Sequence, residues 1–282
     1  MTNDTLRIEI QRNVAAALAE DVGTGDLTAL LVPSGARAQA AVISREAGVV
    51  CGTDWFDATF AALTPAHDVR WRVRDGDAVT PGQMLCSISA PARALLTGER
   101  TALNFLQLLS ATATATRRYV EAVAGTKARI VDTRKTLPGL RRAQKYAVTV
   151  GGGLNHRTGL YDGILVKENH IIAAAGVAQA VAAALALAPQ GVFVEIEVEN
   201  LAELSTAIDA GATMILLDNM SLDDLREAVR QTAGRAVLEA SGGVDLQTVR
   251  AIAQTGVDRI SVGGITKHVR ALDLSLRLLD ER

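Results

Sequence analysis

Apolar residues recur along this chain with two periods, and the change between them falls near residue 110. Before it, AQAAVISREAGVV and VRWRVRDGDAVTPGQMLCSI alternate apolar with polar positions, the pattern of antiparallel strands with one wet face. TDWFDATFAAL between them has helical spacing. From Gly98 the stretch GERTALNFLQLLSATATATRRYVEAV puts Leu103, Leu106 and Leu109 on one face, which predicts a long helix leading into a second domain. Beyond it, short apolar runs alternate with helical stretches: ARIVDTR, GILVKEN, VFVEIEVEN, MILLDNM, RAVLEASGG and RISVGGI. Six strand–helix units predict a parallel barrel or a partial one, with room for a seventh strand near the junction. A doubly wound sheet would carry a glycine-rich loop after its first strand; GxGxxG is absent, and Gly151–Gly153 follow no strand. The expected fold class is therefore α/β. An N-terminal mixed α/β (α+β) domain over residues 1–112 precedes a C-terminal open parallel α/β barrel over 113–268. The last stretch, about 269–282 with VRALDLSLRLL, reads as a helix free to pack back on the first domain.

Composition narrows the class further. At 49% hydrophobic but only 3% aromatic, the core must be built from Ala, Val, Leu and Ile, which suits helices layered on a parallel sheet. A net charge of −2 excludes a general nucleic-acid or membrane-surface binder, so any basic site is local. Cys51 and Cys86 lack metal-ligand spacing and read as buried free thiols. Ala173–Ala188, the longest apolar stretch, is too short to span a bilayer, and MTNDTLRIEI has no secretory pattern, so a cytoplasmic location is expected. RDGDAVTPGQML resembles the hammerhead turn of biotinyl and lipoyl domains. A carrier needs a modifiable lysine, however, and none occurs between Met1 and Gly125, so the segment is read as structural.

Candidate chemistry sits where the barrel strands end. These ends carry Arg134 and Lys135, then Lys167, Glu197, Asp218, Ser241 with Gly242, and Gly263 with Gly264. From Lys167 the spacings are 30, 21, 23 and 22 residues, about one strand–helix unit each. In a parallel barrel such positions converge on the face that builds active sites. Arg134, Lys135, His156, Arg157 and Lys167 form a basic basket for a small polyanion, with arginine forks for carboxylates and lysines as mobile charges for phosphate. Arg141, Arg142 and Lys145 follow LPG on a predicted helix and read as a solvated face. Glu195, Glu197 and Glu199 alternate onto one strand face. Glu197 and Asp218 suit a Mg²⁺-bound phosphate ligand or ribose hydroxyls, or else ion pairs with lysines inside the barrel. The glycine-rich ends at Ser241–Gly242 and Gly263–Gly264 come last, where barrels hold phosphate with backbone N–H groups. Lys167 at a strand end also fits a Schiff-base aldolase, although the surrounding fixed cations favour an anion clamp.

In order and spacing the chain resembles the quinolinate phosphoribosyltransferase family. The motifs are EDVGTGDLT, LTGERTALNFLQLLS, VDTRKTLPGLRRAQKYAV, GGGLNHRTGLYDGILVKENHI, VEIEVENLAEL, ILLDNM, EASGG and ISVGGITKHVRALDLSL. The resemblance implies transfer of phosphoribosyl from phosphoribosyl pyrophosphate to quinolinate with decarboxylation, in de novo NAD biosynthesis, with Mg²⁺ required. It implies a homodimer whose sites borrow residues across the interface. By motif, Arg134, His156, Arg157 and Lys167 would hold the quinolinate carboxylates, and Arg100 would reach in from the neighbouring subunit. Lys135 would lie between quinolinate and pyrophosphate. Glu197 and Asp218 would face the ribose hydroxyls and hydrated Mg²⁺, and Ser241, Gly242, Gly263 and Gly264 the 5′-phosphate. Gly264 stands where many relatives carry Ala, and Lys267 where some carry His, which leaves the detail of the 5′-phosphate contact open. Molybdenum-transport-associated homologues are a non-catalytic alternative, against which the complete set of cations argues.

Overall fold

The computed structural model describes residues 3–279. Two compact units emerge. The first gathers the chain up to Arg117, Leu137–Gly152 and the segment from His268 onward; the second comprises Arg118–Thr136 and Gly153–Lys267.

The first unit opens with helix α1 (Asn3–Val22) and continues through β1 (Arg37–Ser44), β2 (Gly48–Val49), α2 (Thr53–Leu63), β3 (Asp68–Trp71), β4 (Ala78–Val79), β5 (Met84–Pro91) and the long α3 (Ala92–Ala122). The strands alternate as the sequence predicts: every second residue of β5 from Cys86 is buried (Cys86, Ile88, Ala90). β1 pairs antiparallel with β5 from Arg37↔Pro91 to Val42↔Cys86, with a register shift after Val42. Phe56 and Phe60 of α2 and Leu95, Leu103 and Leu106 of α3 fill the core against Val42, Leu85 and Ile88. A second cluster centres on Trp55, buried among Ile10, Val14 and Leu109, with its indole N–H donating to Asn13 Oδ1 at 3.1 Å. Cys51 and Cys86 are free and buried, and burial pushes the Cys86 thiol up to about 12.

The first unit runs to Arg117, and after β6 (Arg129–Val131) the chain returns to it for α4 (Arg141–Val150), whose small Ala143 and Ala147, one turn apart, join the Trp55 cluster. Two expectations need correction here. Arg141, Arg142 and Lys145 are not a solvated face. Lys145 is fully buried, the two arginines are half-buried, and all three have partners. The final stretch is a strand, β12 (Leu274–Leu278), paired antiparallel with β1 from Ala40↔Leu278 to Ser44↔Leu274. Its leucines at 272, 274, 276 and 278 fit period 2, Leu272 and Leu274 are buried, and β1 offers a free edge; residues 280–282 of the predicted helix lie outside the described ones.

The second unit continues with β7 (Gly163–Val166), α5 (Glu168–Ala173), α6 (Val177–Leu187), β8 (Phe193–Val198), α7 (Leu201–Asp209), β9 (Met214–Asp218), α8 (Leu222–Thr232), β10 (Val237–Ser241), α9 (Val249–Ala253), β11 (Arg259–Ser261) and α10 (Gly264–Lys267). All six predicted strands are present, in one parallel sheet ordered β6-β11-β10-β9-β8-β7. A seventh is reduced to a single bridge from Leu154 to Val131, which leaves the barrel open on the β7 side. Asn200 and Ser221 cap α7 and α8 by accepting the N–H of Glu203 and Asp224, so those helices start where the strand ends stop. Among the described residues, no helix is long and apolar enough to cross a membrane.

Candidate active site

Because the six strands are parallel, their C-terminal ends share one edge of the sheet. Register fixes what lies beside what: Ser241 pairs with Asp218, Val166 with Ile196, so that Lys167 comes level with Glu197, and Ser261 with Val131.

The basic side is built from the turn after β6 and the loop before β7. Arg134 Nε is buried with no hydrogen-bond partner. Arg157 donates through Nη1 to the carbonyl of Gly163 at 3.1 Å. Burial, and then the neighbouring Arg134, pull the Arg157 guanidinium below its ordinary range. Two neighbouring guanidiniums that repel each other, one partly desolvated and one with a buried unpartnered N–H, are a site whose energy falls when an anion enters. Lys135 is exposed, and its chain lies along Gly263, where an added Cβ would stand 3.0 Å from Lys135 Cδ. Thr266 Oγ1 anchors the same residue by donating to its carbonyl at 2.8 Å. Lys135 therefore spans from the arginine side toward the glycine side.

His156 behaves unlike the other members of the predicted basket. Its side chain is only 7% exposed and faces the barrel interior, where Nε2 lies 2.6 Å from Glu195 Oε2 and 3.9 Å from Glu239 Oε1. The backbone N–H of Arg157 donates to His156 Nδ1 at 2.8 Å, so Nδ1 is an acceptor and Nε2 carries the proton given to Glu195. Asp132, fully buried, accepts from His156 N at 2.8 Å and Asn155 Nδ2 at 2.7 Å and holds this turn. His156, Glu195 and Glu239 are close enough to enclose a metal ion, but that tautomer leaves His156 no lone pair for one. The two carboxyls are instead raised to about 7, by burial first. Both oxygens of Glu239 and one of Glu195 have no hydrogen-bond partner.

The acidic side climbs β8. Glu195 is buried and Glu197 half-buried on one strand face, and Glu199, just past the strand, is exposed. Lys167 Nζ donates to Glu197 Oε2 at 2.9 Å, with the lysine side chain 50% and the glutamate 15% exposed. That bond ties Lys167 to a carboxylate at a half-exposed position, unlike the apolar pocket of a Schiff-base lysine. Asp218 accepts from Asn219 Nδ2 at 2.8 Å, and Asn219 adopts φ 52°, a left-handed turn that asparagine tolerates. Gly242 has φ 100°, and a side chain there would collide with Asn219, so only glycine allows this close crossing. Gly263 and Gly264 follow β11, Gly264 opening the short α10 that ends at the exposed Lys267. Arg100 belongs to the first unit, exposed on α3.

Asp132, Asn219 and Glu239 were not singled out from the sequence. Glu239 had a readable signal: it alternates with Ser241 as Glu195 does with Glu197, so it shares the inward face. Asp132 opens the DTRK turn, and nothing in that turn says that an acid holds it. Asn219 shows only as an asparagine beside a strand-end aspartate.

Comparison with known proteins places this geometry. Residues 26–110 match the family model for the quinolinate phosphoribosyl transferase N-terminal domain, and residues 112–277 that for the C-terminal domain. The chain is 43% identical over 284 residues to the nicotinate-nucleotide pyrophosphorylase [carboxylating] of Mycobacterium leprae, covering 98% of each chain. With a Bacillus subtilis protein named as a probable nicotinate-nucleotide pyrophosphorylase [carboxylating] it is 40% identical over 257 residues, covering 91% of this chain and 89% of that one. Among solved structures, the nicotinate-nucleotide pyrophosphorylase of Francisella tularensis superposes with a TM-score of 0.94 at 44% identity, over 99% of this chain and 98% of that one.

Proposed function

The chain belongs to the quinolinate phosphoribosyl transferase family, and from that premise we propose that its strand-end basket binds quinolinate beside phosphoribosyl pyrophosphate. The protein transfers phosphoribosyl to the ring nitrogen of quinolinate and releases pyrophosphate and CO₂, forming nicotinate mononucleotide for NAD biosynthesis. The observation that carries the site assignment is the pair Arg134 and Arg157: two guanidiniums, one with a buried unpartnered N–H, set side by side against ordinary electrostatics. A dicarboxylate is the ligand that uses both. Arg134, Arg157 and Lys167 hold the quinolinate carboxylates, and His156 lies beneath them, fixing the turn that carries Arg157. Ser241, Gly242, Gly263 and Gly264 offer the backbone for the 5′-phosphate.

Glu197 and Asp218 are hard oxygen donors on adjacent strands, both half-buried at the strand ends, and would hold a hydrated Mg²⁺. When bound, Mg²⁺ neutralises the pyrophosphate's charge. The same two carboxylates accept from the ribose hydroxyls.

The chemistry then asks little proton transfer of the protein. The ring nitrogen donates its lone pair to the anomeric carbon as the bond to pyrophosphate breaks, through a transition state with oxocarbenium character. Lys135, reaching from the arginine side toward Gly263, stabilises the charge growing on the departing oxygen. The arginines and Lys167 hold two mutually repelling anions in contact. Alkylation leaves the ring nitrogen cationic, so the electron pair released when the adjacent carboxylate departs as CO₂ flows into the ring, and a proton replaces the carboxylate. Arg100 completes the basket from the partner in a homodimer, which works in the cytoplasm. A coupled assay for CO₂ and nicotinate mononucleotide tests the reading: quinolinate reacts, and nicotinate, with one carboxylate, does not. Turnover of nicotinate at a comparable rate would refute the two-carboxylate clamp.

A further inference from the structure

Lys167 and Glu197 spend their charge on each other. In the reading above they serve different ligands: Lys167 a quinolinate carboxylate, Glu197 the ribose hydroxyls and hydrated cation of the second substrate. The bond between them is set by the fold, since the Val166↔Ile196 register brings the two residues level on adjacent strands, and Nζ reaches Oε2 at 2.9 Å. We propose that this ion pair couples the two substrate sites, so that either ligand, by taking one partner of the pair, frees the other partner for its companion.

The proposal rests on the assignment of those two ligands, and its logic is linkage. The first ligand to bind must break the pair, whereas the second binds to residues already released. The strength of the pair thus reappears as positive cooperativity, equal in both directions and independent of which substrate arrives first. Half of the lysine side chain is in solvent and the glutamate is largely shielded, which puts the pair at the upper end of surface ion pairs, equivalent to a coupling of about fivefold. The other charges near the pair do not replace it. Glu199, just past the end of β8, is exposed, and Glu195 one step further in on β8 is bound to His156. Asp218 on β9 is engaged by Asn219.

Removing a carboxylate near a dianion tightens binding by simple Coulomb relief, so a single variant does not test the idea; a double-mutant cycle does. Quinolinate is titrated calorimetrically into wild type, Glu197→Gln, Lys167→Gln and the double variant, with circular dichroism spectra and thermal melts confirming that each is folded. We expect Glu197→Gln to tighten quinolinate about fivefold when Lys167 is present and less than about twofold in the Lys167→Gln background. In wild type, rising Mg²⁺ tightens quinolinate by up to the same factor, and in Glu197→Gln it does not. An equal effect of Glu197→Gln in both backgrounds would show long-range repulsion and overturn the coupling while leaving the active-site assignment standing. Failure of quinolinate to bind wild type at all would overturn that assignment, and the coupling with it.

Discussion

Replacing Glu239 by Gln should stabilise the protein, and only at neutral to alkaline pH. Glu239 is buried in the barrel interior with neither carboxylate oxygen hydrogen-bonded, and its pKa is raised from 4.5 to about 7, by burial first and by the neighbouring Glu195 second. A carboxyl whose pKa is higher folded than unfolded binds its proton more tightly in the native state. Native stability is therefore greatest below the unfolded pKa and declines as pH rises from about 4.5 to about 7, then levels off. A shift of this size corresponds to roughly 3 kcal/mol at most, at 1.36 kcal/mol per pKa unit. Sharing of that burden with Glu195, and the attraction of His156 ahead of that of Arg259, bring the expected gain for the single variant to about 2 kcal/mol. Glutamine keeps the shape, never ionises, and offers an amide N–H₂ toward the unpartnered Glu195 Oε1. Thermal unfolding of wild type and variant at pH 5, 6, 7 and 8 reads the effect. We expect midpoints that agree near pH 5 and separate by about 4–8 °C at pH 8, the variant higher, given about 2–4 °C per kcal/mol for a chain of this class. A pH dependence of the wild-type midpoint that Glu239→Gln leaves unchanged would mean that Glu239 is not the group that titrates, and would refute the argument.

The mouth of the barrel gives different signatures. Lys135→Ala should lower the rate of nucleotide formation by about two to three orders of magnitude, the scale of losing one charged donor to a leaving group, and steady-state kcat reads it. Wild-type kinetics in that variant would remove Lys135 from the mechanism. Arg134→Ala should instead raise the quinolinate KM with a smaller change in kcat, since it removes ground-state grip. Arg100 stands exposed on α3 of the first unit, so activity per subunit should collapse on dilution below the dimer dissociation constant, followed by activity assay alongside sedimentation. Ending the chain after Ala271 removes the buried Leu272 and Leu274 and strips β12 from β1; at about 2–3 kcal/mol per buried leucine, the loss should show as a lower urea midpoint or insoluble protein.

The barrel was legible because its strands are largely buried and so appear as short apolar runs, interrupted only by inward glutamates in β8 and β10, each stopping at a polar residue or glycine. All six runs became strands, and their ends share an edge for that reason. The return of α4 to the first unit was not legible. Its helical spacing is plain in RRAQKYAV, but the choice of neighbour depends on Ala143 and Ala147 fitting beside Trp55, a matter of shape that no single stretch encodes. LDLSLRLL satisfies both helical and strand periods, and the waiting edge of β1 decided between them. His156 shows the same limit at the site. Counted along the chain it is one more cation; in space, its Nδ1 takes the Arg157 N–H and its Nε2 lies against a buried acid.

Glu195 and Glu197 of β8 and Glu199 just past its end make the distinction physical. They alternate outward along the chain and differ in depth, and depth decides what each carboxylate does. Glu195, cut off from water, is driven toward neutrality and serves as an acceptor for His156. Glu197, one step outward, is partly exposed and pairs with Lys167. Glu199, at the rim, is exposed, and the nearby Glu168 raises its pKa first of all.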